Sequence, residues 1–509
     1  MRINPHNYYS FRLTDEQEEL TGRLLDFFDS YDEDIFIIKG YAGTGKTSIV
    51  KGFVKYLGEN SRPFELLAST GRAAKVLAEK TNFPAATIHS TIYKMELVET
   101  GKDNYRIYFK LKEPNTNPKM IYFIDESSML TNHIQGDGNI AFGTGRLLDD
   151  LFRFTGEGKV VFIGDPAQLP PVNSKFSAAL NKNYLEQTFK KMVSVFELRQ
   201  IMRYSGDSGI SFNAKKLREQ INSGFFPPLS IKAHDFNDIE VSFQDNDLVK
   251  KYYETIKRTG VESAVYITLS NKQAALVNQK VRSFLWGYNN LSQIRTGEAL
   301  MVVRNNYLHN LSNGDLVIAG DIEGSTKKVA GLTFRNIQIT VTDPDPKKGL
   351  VIKNVLIIDD LLSSPTRDLG MEQEKILLKD FFIRMTTAAG EIFELMTRGQ
   401  PEALIKEVLR RNNIKNSPES INKFNSKSAL ARFIIRENMP SDPYLNALRV
   451  KYGYAVTCHK AQGSEWQHVF IHLERSMFYL DKENQLRWTY TALSRAEKKL
   501  YILNNYCLY

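Results

Sequence analysis

Cysteine is nearly absent from this 509-residue chain: Cys458 and Cys507 are too few for a disulfide framework or a cysteine-ligated zinc site. That scarcity points to a reducing, cytoplasmic setting. Long apolar runs are missing too, since no stretch reaches the roughly 20 uncharged residues of a membrane span, and no membrane partner is expected. The opening Met1-Arg2-Ile3-Asn4-Pro5-His6 lacks the apolar core of a signal peptide. No repeat recurs at periods of roughly 20 to 50 residues. Charge of one sign is not in large excess either: 67 Lys+Arg against 58 Asp+Glu leave a net +9, which permits a polyanionic partner without requiring one.

What remains is a globular composition, 42% hydrophobic and 25% charged, which argues against long disorder. A chain of this length exceeds one ordinary core, so about two to four lobes are expected.

The most informative stretch is Ile35-Phe36-Ile37-Ile38-Lys39-Gly40-Tyr41-Ala42-Gly43-Thr44-Gly45-Lys46-Thr47. An apolar, β-branched run reads as a buried parallel strand, and the Gly40-x-x-x-x-Gly45-Lys46-Thr47 behind it has the spacing of a phosphate-binding loop. Glycines let backbone N–H groups converge on phosphate oxygens, Lys46 supplies a point charge at the β- and γ-phosphates, and the Thr47 hydroxyl suits Mg²⁺. A helix opening at Thr47 would add its positive end.

Two later strands repeat the design. Met120-Ile121-Tyr122-Phe123-Ile124-Asp125-Glu126 ends in carboxylates, the first suited to the Mg²⁺ shell and the second to polarising water beside the γ-phosphate. In Lys159 to Gly164, followed by Asp165-Pro166-Ala167-Gln168-Leu169-Pro170-Pro171-Val172, an uncharged Gln168 at the sheet edge can sense hydrolysis; standing alone it would be a Pro-stiffened turn. Strands that deliver polar loops at their carboxyl ends are the habit of an open parallel α/β sheet.

Other segments admit two readings. Gln17 has capping-box spacing with Thr14, and its amide equally suits an adenine edge. Ser69 and Thr70 close a strand, and Thr87-Ile88-His89-Ser90 follows; small hydroxyl groups at strand ends are approachable by a phosphodiester backbone, yet each singly is an ordinary helix cap. Residues from 91 to about 117 read as a small hairpin-like excursion, with Tyr93, Tyr105, Tyr108 and Phe109 as packing or base-contacting aromatics. The Gly-rich run 136–145 reads as a mobile loop. Strand candidates return at 263–271, 454–463, 469–473 and 500–503, implying a second sheet, with a β-plus-helical insertion between 313 and about 448.

In order, Gln17, 40–47, 68–74, 87–89, 125–129, 164–172, 198–203, 456–463 and 490–496 resemble the motif series of superfamily 1 DNA helicases, in particular the RecD-like and Dda-like branch that moves 5′ to 3′. The resemblance implies an α/β fold of two RecA-like P-loop domains with parallel sheets, a hairpin insertion in the first and a β-barrel-containing insertion in the second. The boundaries expected are 1–190, with the wedge hairpin at about 91–117, then 191–312 with 448–509, and an SH3-like or accessory insert at 313–447.

The same resemblance implies ATP and Mg²⁺ between the domains, held by Gln17, Gly40, Ala42, Gly43, Thr44, Gly45, Lys46, Thr47 and Gly463, with Thr47 and Asp125 on the metal. Glu126 would orient the attacking water, with Gln168 near the γ-phosphate. Arg203 and Arg495 would serve as arginine fingers, because a permanently charged fork neutralises transition-state oxygens. Ser69, Thr70, Thr87, His89, Asn271, His459 and Gln462 would line a single-strand groove. A monomeric helicase acting on single-stranded DNA and duplex junctions is expected; a DNA-stimulated ATPase that remodels protein–DNA complexes is the alternative. No extra carboxylate-rich motif favours a nuclease. The insert is longer than a lone small barrel needs, and Arg199 stands where the family more often has a hydroxyl residue.

Overall fold

The computed structural model describes residues 8–508 apart from 102–103, 135, 138–139, 172–173, 175, 203–206, 289–290, 343–349, 367 and 504–506. Two compact units divide the chain. One comprises Met1–Val98, Arg106–Tyr288 and Tyr454–Tyr509, the other Glu99–Tyr105 and Asn289–Gly453.

Within the first unit a six-stranded sheet runs in the order Val193–Leu198, Ile35–Gly40, Lys159–Gly164, Ile121–Asp125, Phe64–Ala68, Ala85–Thr87, every pair parallel. Side chains alternate across it: Ile35 and Ile37 enter one core, Phe36 and Ile38 the other. Apolar groups on both faces explain the unbroken hydrophobic runs, which a sheet covered on both sides requires. All six carboxyl ends therefore lie along one edge.

A second parallel sheet follows the order Ile239–Ser242, Ala496–Leu503, Trp466–Ile471, Ala264–Thr268, Ala455–Thr457. The expected second boundary needs correction, because Val193–Leu198 pairs with Ile35–Gly40 and so extends the first sheet past residue 190. Ile239–Ser242 escaped sequence reading, its Glu240 and Ser242 breaking the apolar run.

The hairpin-like excursion is built from Tyr93–Gly101 and Asn104–Leu111. The Gly-rich run does not form a loop alone. It contributes strands Gly136–Asp137 and Ile140–Phe142, the latter parallel to Asn104–Leu111. Phe109 stacks on Phe142 at 4.5 Å, and Tyr93 donates a 2.7 Å hydrogen bond to buried Asp150. Tyr105 lies among residues whose side chains are outside the description.

The second unit holds an antiparallel sheet, Leu350–Ile358, Leu332–Val341, Leu316–Val329, Ala299–Val302, Val450–Tyr452. A parallel bridge between Ile357 and Leu448 joins its outer edges. Helices Met371–Thr397, Glu402–Arg411, Pro418–Ile421 and Lys427–Asn438 complete the unit and account for its length. Because Ala299–Val302 and Val450–Tyr452 belong to this sheet, the unit extends beyond 313–447 on both sides.

Candidate nucleotide site and nucleic-acid edge

The loop after Ile35–Gly40 opens the helix Lys46–Glu59, whose first N–H groups have no side-chain cap. Donors left unsatisfied at a helix start suit an anion. Gly45 has φ +85°, and a Cβ there would lie 2.7 Å from Gln17 Nε2, so glycine is required on two counts. Thr44 is buried, and its hydroxyl donates to Tyr41 O at 3.0 Å. Lys46 Nζ donates to Gly40 O at 2.7 Å and Tyr41 O at 2.9 Å. Burial pulls the Lys46 ammonium below its ordinary pKa, while Asp165, Glu126 and Asp125 pull it back up. Ala42, Gly43 and Thr47 complete the half-buried turn.

Gln17 fulfils its capping reading. Its Oε1 accepts from Thr14 N at 3.1 Å, and its Nε2 donates to Thr44 O at 3.2 Å, bracing the phosphate loop from behind.

Ile121–Asp125 delivers the carboxylates. Asp125 Oδ1 accepts the Glu126 N–H at 2.8 Å, and Glu126 adopts φ +52°, a left-handed conformation costly for a non-glycine residue. Burial, then the neighbouring Asp125, pushes the Glu126 carboxyl up to about 7, against the opposing pull of Arg495 and Lys46. Burial also raises Asp125. Gln168 is buried, and its Oε1 has no hydrogen-bond partner among the described residues. An orphaned acceptor of that kind costs about 1–3 kcal/mol and leaves the amide available to a ligand.

The far wall comes from the second sheet. Helix Lys482–Leu493 sends Tyr490 OH to Asp165 Oδ2 at 2.6 Å, and the Ala42 N–H reaches the same hydroxyl at 3.4 Å. Thr491 Oγ1 accepts from Leu169 N at 3.0 Å, and Arg487 donates to Pro166 O at 2.5 Å. Gln462 is 4% exposed and donates its amide N–H to Leu169 O at 3.0 Å, so it lies in the seam. Gly463, φ +74°, faces Glu126: a Cβ would lie 3.5 Å from Glu126 Cγ and 3.2 Å from Ala73 Cβ. Arg72 stacks over Trp466 at 5.0 Å, and Lys80 pairs with Glu465 at 3.6 Å.

Arg495 is 2% exposed. Its guanidinium donates to Thr491 O at 3.1 Å, Ser464 O at 3.3 Å and Ser494 Oγ at 3.1 Å, yet its field reaches both Lys46 and Glu126. Arg203 lies outside the described residues. Tyr490 and Thr491 stand in the 490–496 stretch of the motif series with no role of their own assigned, and Arg487 lies outside it; the fold brings all three to loop 165–169.

Hydroxyl and imidazole candidates gather at strand ends. Ser69 and Thr70 follow Phe64–Ala68, Thr87 ends the neighbouring Ala85–Thr87, and all three are half-buried. Thr70 and Thr87 are also helix caps, accepting from Ala73 N and Ser90 N at 3.2 Å each. His89 packs 5.4 Å from Phe142 and 5.8 Å from Tyr93, and burial lowers its pKa. Asn271 and His459 follow the adjacent strands Ala264–Thr268 and Ala455–Thr457.

Residues 12–225 match the family model described as an AAA domain, and residues 452–503 that of a UvrD-like helicase C-terminal domain. The two matches fall on the two parallel sheets whose residues meet at Glu126. Over these two spans the chain is similar to superfamily 1 helicases of the RecD-like kind. The RecBCD enzyme subunit RecD of Buchnera aphidicola subsp. Schizaphis graminum is 24% identical, over 92% of this chain and 70% of that one. An uncharacterized protein, R530, of Acanthamoeba polyphaga mimivirus is 21% identical over 95% and 98%. Among solved structures, the Pif1 helicase from Bacteroides in complex with ADP-AlF3 and ssDNA shares 14% identity, covering 97% of this chain and 92% of that chain at a TM-score of 0.45. The AAA-domain match spans the sheet that carries the phosphate loop, and the UvrD-like match spans the strands and helix near the carboxyl end together with Gly463, Tyr490 and Arg495.

Proposed function

We propose that this helicase is a motor that moves 5′ to 3′ on single-stranded DNA and separates strands where its track meets a duplex. The observation that carries this reading is the convergence of Tyr490, Gly463 and Arg495, all from the second sheet, on Asp165, Glu126 and Lys46 of the first. A triphosphate held there is contacted from both lobes, so hydrolysis removes contacts and the cleft cycles between closed and open.

In this scheme Lys46 and the loop N–H groups bind the β- and γ-phosphates, Glu126 takes a proton from the attacking water, and Gln168 hydrogen-bonds the terminal phosphoryl oxygens. Arg495, with Arg203, neutralises charge that develops in the transition state. Thr47 and Asp125 suit Mg²⁺: buried carboxylates whose pKa values burial raises are stabilised as anions by a divalent cation. When bound, that ion supplies charge neutralisation at the phosphates.

Strand ends bearing Ser69, Thr70, Thr87 and His89 on one sheet, and Asn271 and His459 on the other, form two DNA grips whose spacing follows the cleft. Gln462 serves closure instead, its amide being committed to Leu169 O.

A partial duplex with a 5′ single-stranded tail, compared with a 3′ tail and with an RNA track, tests the proposal. ATP-dependent unwinding only from the 5′ tail is expected. Hydrolysis stimulated by DNA without strand separation would replace the motor by a remodelling ATPase.

A further inference from the structure

The phosphate loop carries a large side chain that the scheme above does not use. Tyr41, between Gly40 and Ala42, is 2% exposed. Its hydroxyl donates to Glu197 of the first sheet and accepts from Asn222 Nδ2 at 2.6 Å. The Arg218 guanidinium lies over its ring, 3.9 Å from the centroid. Asn222 and Arg218 both belong to the helix Gly209–Ser223, which packs on Lys482–Leu493 and on the strand Ala496–Leu503. Arg218 is 9% exposed and makes no hydrogen bond or ion pair among the described residues. A buried guanidinium normally has an ionic partner, so a stacked one is committed to that ring.

The main chain of the same residue is tied to the phosphate-binding lysine. Tyr41 O accepts from Lys46 Nζ at 2.9 Å, from Thr44 N at 3.3 Å and from Thr44 Oγ1 at 3.0 Å. An ammonium has three donors, and Lys46 directs bonds at Gly40 O and Tyr41 O. A phosphate oxygen that draws on those donors competes with the Tyr41 carbonyl.

We propose that Tyr41 is a positioning residue: phosphate capture by Lys46 removes one of the three hydrogen bonds its carbonyl accepts, and its ring and hydroxyl carry the resulting shift to Gly209–Ser223 and hence to the helix that bears Tyr490. This rests on the nucleotide reading of the loop. Coupling of this kind runs through a continuous set of packed and hydrogen-bonded groups with two arrangements.

The test is steady-state ATP hydrolysis, with and without an oligo(dT) track, for Tyr41→Phe, Arg218→Met, Arg218→Lys and the Tyr41→Phe/Arg218→Met pair, with thermal unfolding as the check on folding. Tyr41→Phe and Arg218→Met should each lower DNA-stimulated kcat about tenfold while KM for ATP stays within about twofold. The pair should be no worse than its weaker member, and Arg218→Lys should recover much of the loss. Unchanged DNA-stimulated kcat, a KM that rises in step with the loss, or additive losses would overturn the proposal. Were Tyr41→Phe to fold poorly, the two Arg218 variants give the same decision. If Lys46→Ala abolishes hydrolysis while these variants behave as wild type, only the Tyr41 inference fails. If Lys46→Ala hydrolyses normally, the nucleotide reading itself fails.

Discussion

Tyr490 and Asp165, 325 positions apart in the chain, share a 2.6 Å hydrogen bond with both residues buried. The phenol comes from the second sheet's helix and the carboxylate from the strand end beside the phosphate loop. It also meets the Ala42 N–H at 3.4 Å, so one hydroxyl touches both the nucleotide loop and the neighbouring strand end.

Tyr490→Phe removes that hydroxyl and leaves Asp165 Oδ2 buried without its donor. We expect a loss of about 1–3 kcal/mol in unfolding free energy together with slower hydrolysis. Denaturant titration and steady-state kinetics measure both; a variant with unaltered stability and rate would show that the bond contributes nothing.

Lys46→Ala should abolish turnover without unfolding the protein, since the ammonium's partners are two loop carbonyls that water can satisfy. Circular dichroism with an ATPase assay decides it. Wild-type hydrolysis in a correctly folded variant rules out the nucleotide assignment.

Glu126 yields a prediction with a definite sign. Its folded-state carboxyl is raised from 4.5 to about 7, chiefly by burial, so between those values the folded protein holds a proton that the unfolded chain releases. Stability is therefore lost as pH rises through that window. Glu126→Gln should unfold later than wild type at pH 8, by roughly 1–3 kcal/mol, and match it near pH 4. The proposed role of Glu126 as base requires it ionised, so kcat/KM should climb with pH to a plateau above about 7. An acid limb in the ordinary carboxylate range would remove Glu126 from that role.

Arg495→Ala should lower kcat by about 10³ to 10⁵ with a smaller change in KM. Because the guanidinium also holds Thr491 O and Ser464 O, thermal unfolding must be run alongside, and Arg495→Lys separates charge from fork geometry. A defect confined to KM would argue against a transition-state contact.

Affinity for a short single strand, measured by fluorescence anisotropy from low to high salt, should fall steeply, because phosphate contacts release counterions. A flat response would exclude a groove that tracks the backbone.

Much of this was legible because parallel strands covered on both faces must be unbroken apolar runs. Ile35–Ile38, Ile121–Ile124 and Val160–Ile163 announce themselves, and the polar residues behind them lie at one sheet edge by necessity. Gln17 shows the limit. Its capping spacing and its adenine-reading chemistry are equally readable in the chain, and only the bond from its Nε2 to Thr44 O reveals a brace for the phosphate loop. The run 136–145 misled for a related reason: glycines signal a loop, yet the strand Ile140–Phe142 forms because Phe142 finds Phe109. Such a contact has no trace in local spacing.

The chain by itself thus determined the unbroken apolar strands of its first sheet, its phosphate loop and the carboxylates and amide that follow, since the apolar run and the polar turn behind it are local patterns. The resemblance pointed to Arg495 and Gly463 on the far side of the site, but which groups they and their neighbours meet was decided by the tertiary structure. Tyr490 and Gln462 acquire their partners Asp165 and Leu169 only where the two sheets meet, and there too the field of Arg495 reaches Glu126. The energy of those contacts lies in pairs hundreds of residues apart, where neither periodicity nor propensity carries information.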